Sequence, residues 1–262
     1  MGACLWSVAA QAVGATEPPE WRPPHRWSVS WGWNRSVYTA SDIHLHGADH
    51  DFTLSEVQAH DSQTPLTLNN VFHTFLNPGR ITIPQTNLRL AYQLDAGTAI
   101  ALNLDHMKYV VTEGQQVAIT GSIAGTDRTG SQTLSPDFLK YEHTDGLNVL
   151  SLEGERQWPV DLFGAAWPTR AFGLAGLGIV VPKSNVTLGF AGQPRNDQFH
   201  VAGYSLHVGA GVETDLSERF FVRNTVKVGH VDLPDVWTSA RHDKASQRFR
   251  YAEWLLAVGL RF

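Results

Sequence analysis

The stretch 250–262 constrains the fold of this 262-residue chain more than any other stretch. Counting back from Phe262, every second side chain is apolar: Leu260, Val258, Leu256 and Trp254. The positions between them are small or charged, apart from Leu255. This period of two predicts a β-strand with two unlike faces. Half-buried strands of soluble sheets have the same period, so the rest of the chain must decide between a soluble sheet and a membrane barrel.

The same alternation recurs along the chain. In residues 26–40, Trp27, Val29, Trp31 and Trp33 share one face, while serine, glycine and asparagine share the other. Large apolar side chains on one face and small polar ones on the other are typical of a membrane barrel with a narrow lumen. An irregular alternation in the fourth strand predicts a β-bulge. The predicted strands are 26–40, 85–95, 98–111, 141–156, 170–182, 200–215, 220–232 and 250–262.

The connections between these strands alternate in length. After the first strand they run long, short, long, medium, long, short and long. Outer-membrane barrels have short periplasmic turns and longer extracellular loops. The sequence therefore predicts an all-β, antiparallel, up-and-down transmembrane barrel of about eight strands, with both termini in the periplasm. A mean hydropathy of −0.19 is consistent with this fold, because the alternation averages out along each strand.

Three regions are expected along the chain. Residues 1–15 are small and apolar, which is typical of a secretory signal peptide, although the positively charged start is missing. A truncated start would explain this, and lipoprotein processing at Cys4 is the alternative. Residues 16–25 are rich in proline and predict a stiff periplasmic linker. Residues 26–262 are expected to form a single barrel. A net charge of −5 without a basic run argues against nucleic acid as a partner.

Charged side chains are predicted to point into the lumen. In a barrel of about eight strands, side chains rather than water fill the interior. Buried charges must be paired, and both signs are present on the inward faces. We therefore expect an ionic network that plugs the lumen, and the alternative is a proton or solute path through the same residues. The predicted set is Arg89, Glu213, Arg223, Lys227, Glu253 and Arg261.

One histidine cluster has the spacing of a metal site. Asp42, His44 and His46 would share one face of a strand just beyond the first barrel strand. Two imidazoles two residues apart can bind one metal ion, so a divalent metal is a candidate cofactor. The alternative is that these side chains only form hydrogen bonds with loops and with lipopolysaccharide sugars.

Two further clusters pair histidine with carboxylates at the extracellular rim that the topology predicts. A histidine oriented by a carboxylate can act as a general base. Strict alternation from Leu104 would direct His106 toward lipid and Asp105 inward, so His106 could join a rim site only through a bulge or above the membrane. The candidate catalytic residues are Asp105, His106, Glu142, His143 and Asp145.

The chain resembles small bacterial outer-membrane β-barrel proteins. The closing strand with its terminal Phe262 carries the resemblance, which implies recognition by the barrel assembly machinery and contact with outer-membrane lipid and lipopolysaccharide. Segments 41–44 (Ser-Asp-Ile-His), 105–109 (Asp-His-Met-Lys-Tyr) and 142–146 (Glu-His-Thr-Asp-Gly) are similar to those of one group of such proteins. The wider family includes structural and adhesion barrels, a channel for small hydrophobic solutes, and lipid A palmitoyltransferase and deacylase enzymes.

These observations leave three hypotheses for function. The first is a binding or structural envelope protein with a polar rim. The second is an enzyme that modifies the acyl chains of lipid A or phospholipid through a rim His/acid pair. No nucleophile motif of the known lipid A enzymes is found, and Ser36 and Ser41 are the nearest candidate nucleophiles. The third hypothesis is a small-solute channel.

Overall fold

The computed structural model describes residues 25–80, 83–164, 166–192, 196 and 198–262. The predicted signal peptide and nearly all of the predicted linker lie outside these residues. The described strands are β1 (Trp27–Tyr38), β2 (Ser41–His46), β3 (His50–Val57), β4 (Ala59–His60), β5 (Thr86–Gln93), β6 (Thr98–Val111), β7 (Gln116–Ile123), β8 (Thr126–Asp127), β9 (Gly130–Thr133), β10 (Leu139–Val160), β11 (Thr169–Pro182), β12 (Asn185–Leu188), β13 (Gly203–Asp215), β14 (Phe220–Trp237) and β15 (Lys244–Arg261).

Eight of these strands close into an antiparallel barrel. Their order around the barrel is β1, β5, β6, β10, β11, β13, β14 and β15, and β15 pairs again with β1. Trp31 lies opposite Val258 across the closing seam, so the apolar face of the last strand continues that of the first. The predicted fold class is confirmed. The predicted bulge is also confirmed, because the register between β6 and β10 shifts between His143 and Leu147.

The alternation in the sequence becomes two faces of the barrel wall. On β15, Trp254, Leu256 and Val258 are exposed on the outside, while Glu253 and Ala257 are buried inside. Exposed apolar side chains continue around the wall and form a band, whose members include Trp27, Leu88, Leu90, Ile100, Leu102, Leu150, Leu152, Leu177, Leu206, Val208, Val226 and Val228. An apolar surface of this extent requires lipid rather than water as its neighbour. The barrel therefore spans a membrane through this band.

The two ends of the barrel differ. The end that carries Trp27 and Arg261, here called the terminal end, has only turns between its strands. The opposite end, here called the loop end, carries the remaining strands. The long connection predicted between the strands 98–111 and 141–156 contains strands of its own: β7 pairs with β3, and β8 and β9 pair with β7. Residues 183–199 likewise contain β12, which pairs with β10.

An apolar core fills the barrel at the loop end. There β2 pairs with the extension of β15 and continues the sheet into β3 and β7. Tyr109 and Phe249 stack inside it with ring centroids 4.8 Å apart. The loop-end core includes the buried side chains Ile43, Leu45, Phe52, Leu54, Met107, Tyr109, Leu139, Tyr141, Leu147, Val149, Leu233 and Phe249. This core closes the mouth of the barrel.

The only helical turns in the described part of the chain lie between β4 and β5. An α-helical turn spans Leu68–Asn70, a π-helical turn spans Val71–Phe75, and a 3₁₀ turn spans Pro78–Arg80. None of the helices in the described ranges is long and apolar enough to cross a membrane.

Candidate functional site

The lumen near the terminal end contains a paired cluster of two arginines and two carboxylates. Arg170 and Arg261 both approach Asp215, at 2.6 and 2.7 Å. Both arginines also contact Glu213, which lies 3.2 Å from Arg170. These residues line a vestibule of about 460 Å³ that opens at the terminal end. The four side chains satisfy one another and leave no net charge in the cluster.

The same pattern continues deeper in the lumen. Arg89 donates to Glu153 and Glu155, both at 2.9 Å. Arg223 bridges Glu155 and Glu213. Both arginines and both glutamates of β10 are almost fully buried, so these pairs are shielded from water. Because buried charges are costly unless each has an opposite neighbour, this arrangement rigidifies the lumen and does not leave a reactive group free.

Lys227 forms the third layer of the lumen. Its ammonium group lies 2.9 Å from Asp105 and 2.9 Å from Glu153. Asn87 donates to Asp105 Oδ1 at 2.6 Å, and Asn103 donates at 2.8 Å to Oδ2, which Lys227 also contacts. Asp105 is thus a structural member of the lumen network, with every oxygen occupied.

Five of the six lumen charges predicted from the sequence form ion pairs, and Glu253 does not. Glu253 is fully buried, and neither of its carboxylate oxygens has a hydrogen-bond partner within the described residues. Lys227 lies opposite Glu253 in the register of β14 and β15 but donates to Asp105 and Glu153 instead. The sequence analysis missed four members of the network: Glu153, Glu155, Arg170 and Asp215.

The predicted catalytic residues do not converge. Asp105 points into the lumen, whereas the next residue, His106, lies on the other face of β6, where its Nδ1 is 2.7 Å from Asn148 Oδ1. Glu142 accepts from Asn185 at 2.7 Å, and Asp145 pairs with Lys183 at 3.1 Å. Consecutive residues of a strand face opposite sides of the sheet. Asp105 and His106 are neighbours in the sequence, and their side chains are therefore on opposite sides of the barrel wall.

His143 has a partner that the sequence analysis missed. Its Nδ1 lies 2.9 Å from Ser184 Oγ, and both side chains are buried in the loop-end core. Burial lowers the pKa of His143 to about 3, so its imidazole is neutral and a weak base near neutral pH. Neither residue lines the vestibule at the terminal end, and both side chains are almost fully shielded from solvent. A Ser–His contact without access for a substrate is a structural hydrogen bond.

The predicted metal ligands share the outward face of β2, as their spacing requires. The His44 and His46 rings are 5.2 Å apart, and His44 Nε2 lies 2.8 Å from Asp51 Oδ1. Asp42 instead accepts the backbone N–H of Glu56 at 2.9 Å. Across the described ranges, no three His, Cys, Asp or Glu side chains are arranged to hold a metal ion. The metal site stays a prediction.

Three outward-facing cations lie on the half of the barrel wall that is nearer the loop end. Arg35 of β1 donates to Gln85 Oε1 at 2.9 Å and to the carbonyl of Thr64 at 2.8 Å. Lys108 of β6 donates to the carbonyl of Ile83 at 2.6 Å. Arg250 of β15 is exposed. None of the three forms an ion pair within the described residues, and together they are called the collar.

A groove of about 720 Å³ runs along the outer wall beneath Arg250. It crosses β1, β13, β14 and β15, and its sides are Val37, Leu206, Val208 and Val228. The groove exists because β15 presents the small Ala252 between the bulky Trp254 and Arg250. His230 and Arg250 line its polar edge. This surface is called the wall groove.

A polar recess of about 550 Å³ lies nearer the loop end on the same side of the barrel. Its lining includes Asp42, His44, Ser246 and Arg248, and Arg248 is paired with Asp232 at 2.7 Å. Toward the loop end, the outer face of β15 therefore carries four surfaces in succession. They are the apolar band, the wall groove, Arg250, and the recess with its hydrogen-bonding groups. Such an ordered sequence of surfaces can bind an amphipathic ligand.

The chain is similar in structure to solved membrane barrels at low sequence identity, including the following three. Neisserial surface protein A is 10% identical, with a TM-score of 0.40 over 90% of this chain and 97% of that one. OprG from Pseudomonas aeruginosa is 10% identical, with a TM-score of 0.38 over 91% and 96%. The attachment invasion protein Ail of Yersinia pestis, in complex with a heparin analogue, is 12% identical, with a TM-score of 0.32 over 91% and 99%.

The sequence matches no protein-family model and no curated protein. At these TM-scores the likeness carries no argument about function. The fold itself rests on the strand pairing.

Proposed function

We propose that this chain is a barrel of the bacterial outer membrane, with both termini in the periplasm, that binds the phosphorylated glycolipid of the outer leaflet, lipopolysaccharide, on its outer wall. An even number of strands, short turns at the terminal end and long connections at the loop end support this orientation. Recognition of Phe262 by the assembly machinery stays a prediction.

The contrast between the two sets of cations carries the proposal. Arg89, Arg170, Arg223, Lys227 and Arg261 in the lumen are each paired with carboxylates. The collar cations Arg35, Lys108 and Arg250 have no carboxylate partner within the described residues. Arg35 lies opposite Trp254, and Arg250 follows Tyr251 further toward the loop end, where we place the lipid headgroups. Cations at this depth attract anionic headgroups, and an arginine can bind a phosphate through two parallel hydrogen bonds.

The surfaces around Arg250 fit the parts of such a lipid. The apolar sides of the wall groove, among them Val37 and Val228, would accept one acyl chain. Arg250 and His230 would meet a phosphate at the groove's polar edge. The recess with Asp42, His44 and Ser246 would form hydrogen bonds with sugar hydroxyls further from the membrane. The lipid would thus lie lengthwise along β15.

Two features of the interior favour lipid binding over a solute channel and over a lipid-modifying enzyme. A solute channel needs a continuous aqueous path, but ion pairs occupy the lumen and the loop-end core closes its mouth. A lipid-modifying enzyme needs a nucleophile and a base within reach of lipid, but His143 and Ser184 are buried away from the wall.

Co-purification tests the proposal. The barrel would be extracted in mild detergent, and its bound glycolipid would be counted by mass spectrometry for the wild type, for Arg250→Gln and for the control Arg128→Gln. Arg128 is exposed and lies between β8 and β9 at the loop end, outside the barrel strands. We expect Arg250→Gln to retain several-fold less glycolipid than the other two. Equal retention in all three proteins would refute binding at this site, and selective loss of anionic phospholipid would assign the groove to that lipid instead.

A further inference from the structure

The segment between β4 and β5 has an unusual surface. It contains the α-helical turn Leu68–Asn70 and the π-helical turn Val71–Phe75, and Thr67 caps the first turn by accepting the N–H of Asn70 at 3.1 Å. No acidic side chain occurs in 64–80. The segment is therefore compact and almost uncharged, apart from Arg80.

Its apolar side chains are divided between two sides. Phe75 and Thr74 are buried, but Leu68 is 81% exposed and Phe72 is 66% exposed. Leu66 and Leu76 are also exposed. Four large apolar side chains clustered on one short segment form a surface that water disfavours. These exposed side chains thus favour an apolar neighbour beyond the described residues.

Three contacts fix this segment against the outer wall of the barrel. Phe75 packs edge-on against Trp33, with ring centroids 5.9 Å apart, and Trp33 contacts Trp31 at 4.9 Å. Arg35 donates to the Thr64 carbonyl, and Lys108 donates to the Ile83 carbonyl. Trp31 and Trp33 belong to the outward face of β1, so the segment lies beside the lipid-facing wall at the edge of the apolar band.

We infer that residues 66–76 form an interfacial anchor, which inserts Leu66, Leu68, Phe72 and Leu76 into the acyl-chain region of the outer leaflet. Continuity with the apolar band identifies the occupant, because the lipid that covers Trp31 and Trp33 also reaches the exposed side of the segment. The apolar face of an interfacial helical segment lies about 5–10 Å into the boundary between headgroups and acyl chains. The inference is independent of glycolipid binding in the wall groove.

Spin labels at single cysteines can measure this insertion. The labelled positions would be Leu68→Cys and Phe72→Cys in a Cys4→Ser background, with the barrel reconstituted in bilayers. Leu102→Cys in the apolar band and Thr126→Cys at the exposed loop end provide the lipid and water references. Asn69→Cys is the matched control within the segment itself. The readout is the ratio of collisions with oxygen, which concentrates in lipid, to collisions with a water-soluble nickel chelate.

We expect the ratio at Leu68 and Phe72 to exceed the Thr126 value by at least about threefold and to approach the Leu102 value. Asn69 should fall closer to Thr126. Ratios at Leu68 and Phe72 equal to that of Thr126 would overturn the inference. Spin–spin broadening that grows with protein density would also overturn it, because a second copy of the chain would then cover the segment.

Discussion

The lumen and the collar both contain arginine and lysine side chains, but these side chains differ in burial and in ion pairing. In the lumen, Arg223 and its neighbours are buried and each has a carboxylate within 3.2 Å. At the collar, Arg35 and Arg250 face outward and have no carboxylate partner among the described residues. Apart from Glu253, the lumen charges named here are paired within the chain, which gives stability and fills the barrel. Arg35 and Lys108 lie in the field of Asp61, whereas Arg250 has no carboxylate near it among the described ion pairs, and we propose that Arg250 binds an anion from outside the chain.

The largest expected effect comes from breaking one lumen pair. Arg223→Met removes a cation that Glu155 shares with Arg89 and that Glu213 shares with two other arginines, so the buried network keeps one negative charge without a counterpart. We expect the free energy of unfolding to fall by about 4 kcal/mol, because an uncompensated buried charge is strongly destabilising. Urea unfolding in lipid vesicles would measure this change. The control Arg128→Met, at an exposed site, should change it by less than about 0.5 kcal/mol. Equal, small effects of both variants would show that the lumen pairs contribute nothing.

The loop-end core should behave differently from the ionic lumen. Phe249→Ala deletes a ring that stacks on Tyr109, and we expect a loss of about 3 kcal/mol. Hydrogen exchange should increase mainly in β2, β3 and β7, which extend the sheet beyond the barrel. Exchange could instead increase equally in β13 and in the half of β14 that is nearer the terminal end. The loop-end core and the membrane-spanning wall would then be one cooperative unit.

A pH titration separates the core from the lumen further. His143, near Tyr109, Tyr141 and His200, has a pKa of about 3 in the folded protein and about 6.5 when unfolded. The unfolded chain therefore binds more protons below pH 6.5, so stability falls as the pH decreases from 6.5 toward 3. Between pH 7 and pH 5 we expect a loss of about 1–2 kcal/mol.

The matched variant His143→Asn should lose this pH dependence, because it has no group that titrates there. Unfolding in urea at pH 7, 6 and 5 would compare the two proteins. The same slope in both would mean that His143 is not the titrating group.

The barrel was predictable from the sequence because each strand has one lipid-facing side. The period of two in β1 and β15 identified both strands and their faces. The fourth strand was harder, because its inward face changes along its length: Leu147 and Val149 belong to the loop-end core, and Glu153 and Glu155 belong to the ionic lumen. This change of environment makes the alternation irregular and hid the two glutamates.

The candidate site was less predictable than the fold. Clusters of histidine and carboxylate in the sequence were predicted to be catalytic. In the structure, Asp105 and His106 lie on opposite faces of β6, and His143 is buried with Ser184. The wall groove depends on Ala252 lying between two bulky neighbours and beside three other strands. Its position follows from the register between strands, which no single stretch of sequence contains.

The most direct test of the account is the Kd of the purified barrel for the diphosphorylated glycolipid compared with its dephosphorylated form, in wild type and in Arg250→Gln. We predict that the wild type binds the phosphorylated lipid about tenfold more tightly, which corresponds to about 1.4 kcal/mol, and that Arg250→Gln removes most of this difference. The preference should also weaken at high salt. The same Kd for both lipids in the wild type would contradict the claim that the collar binds lipid phosphate.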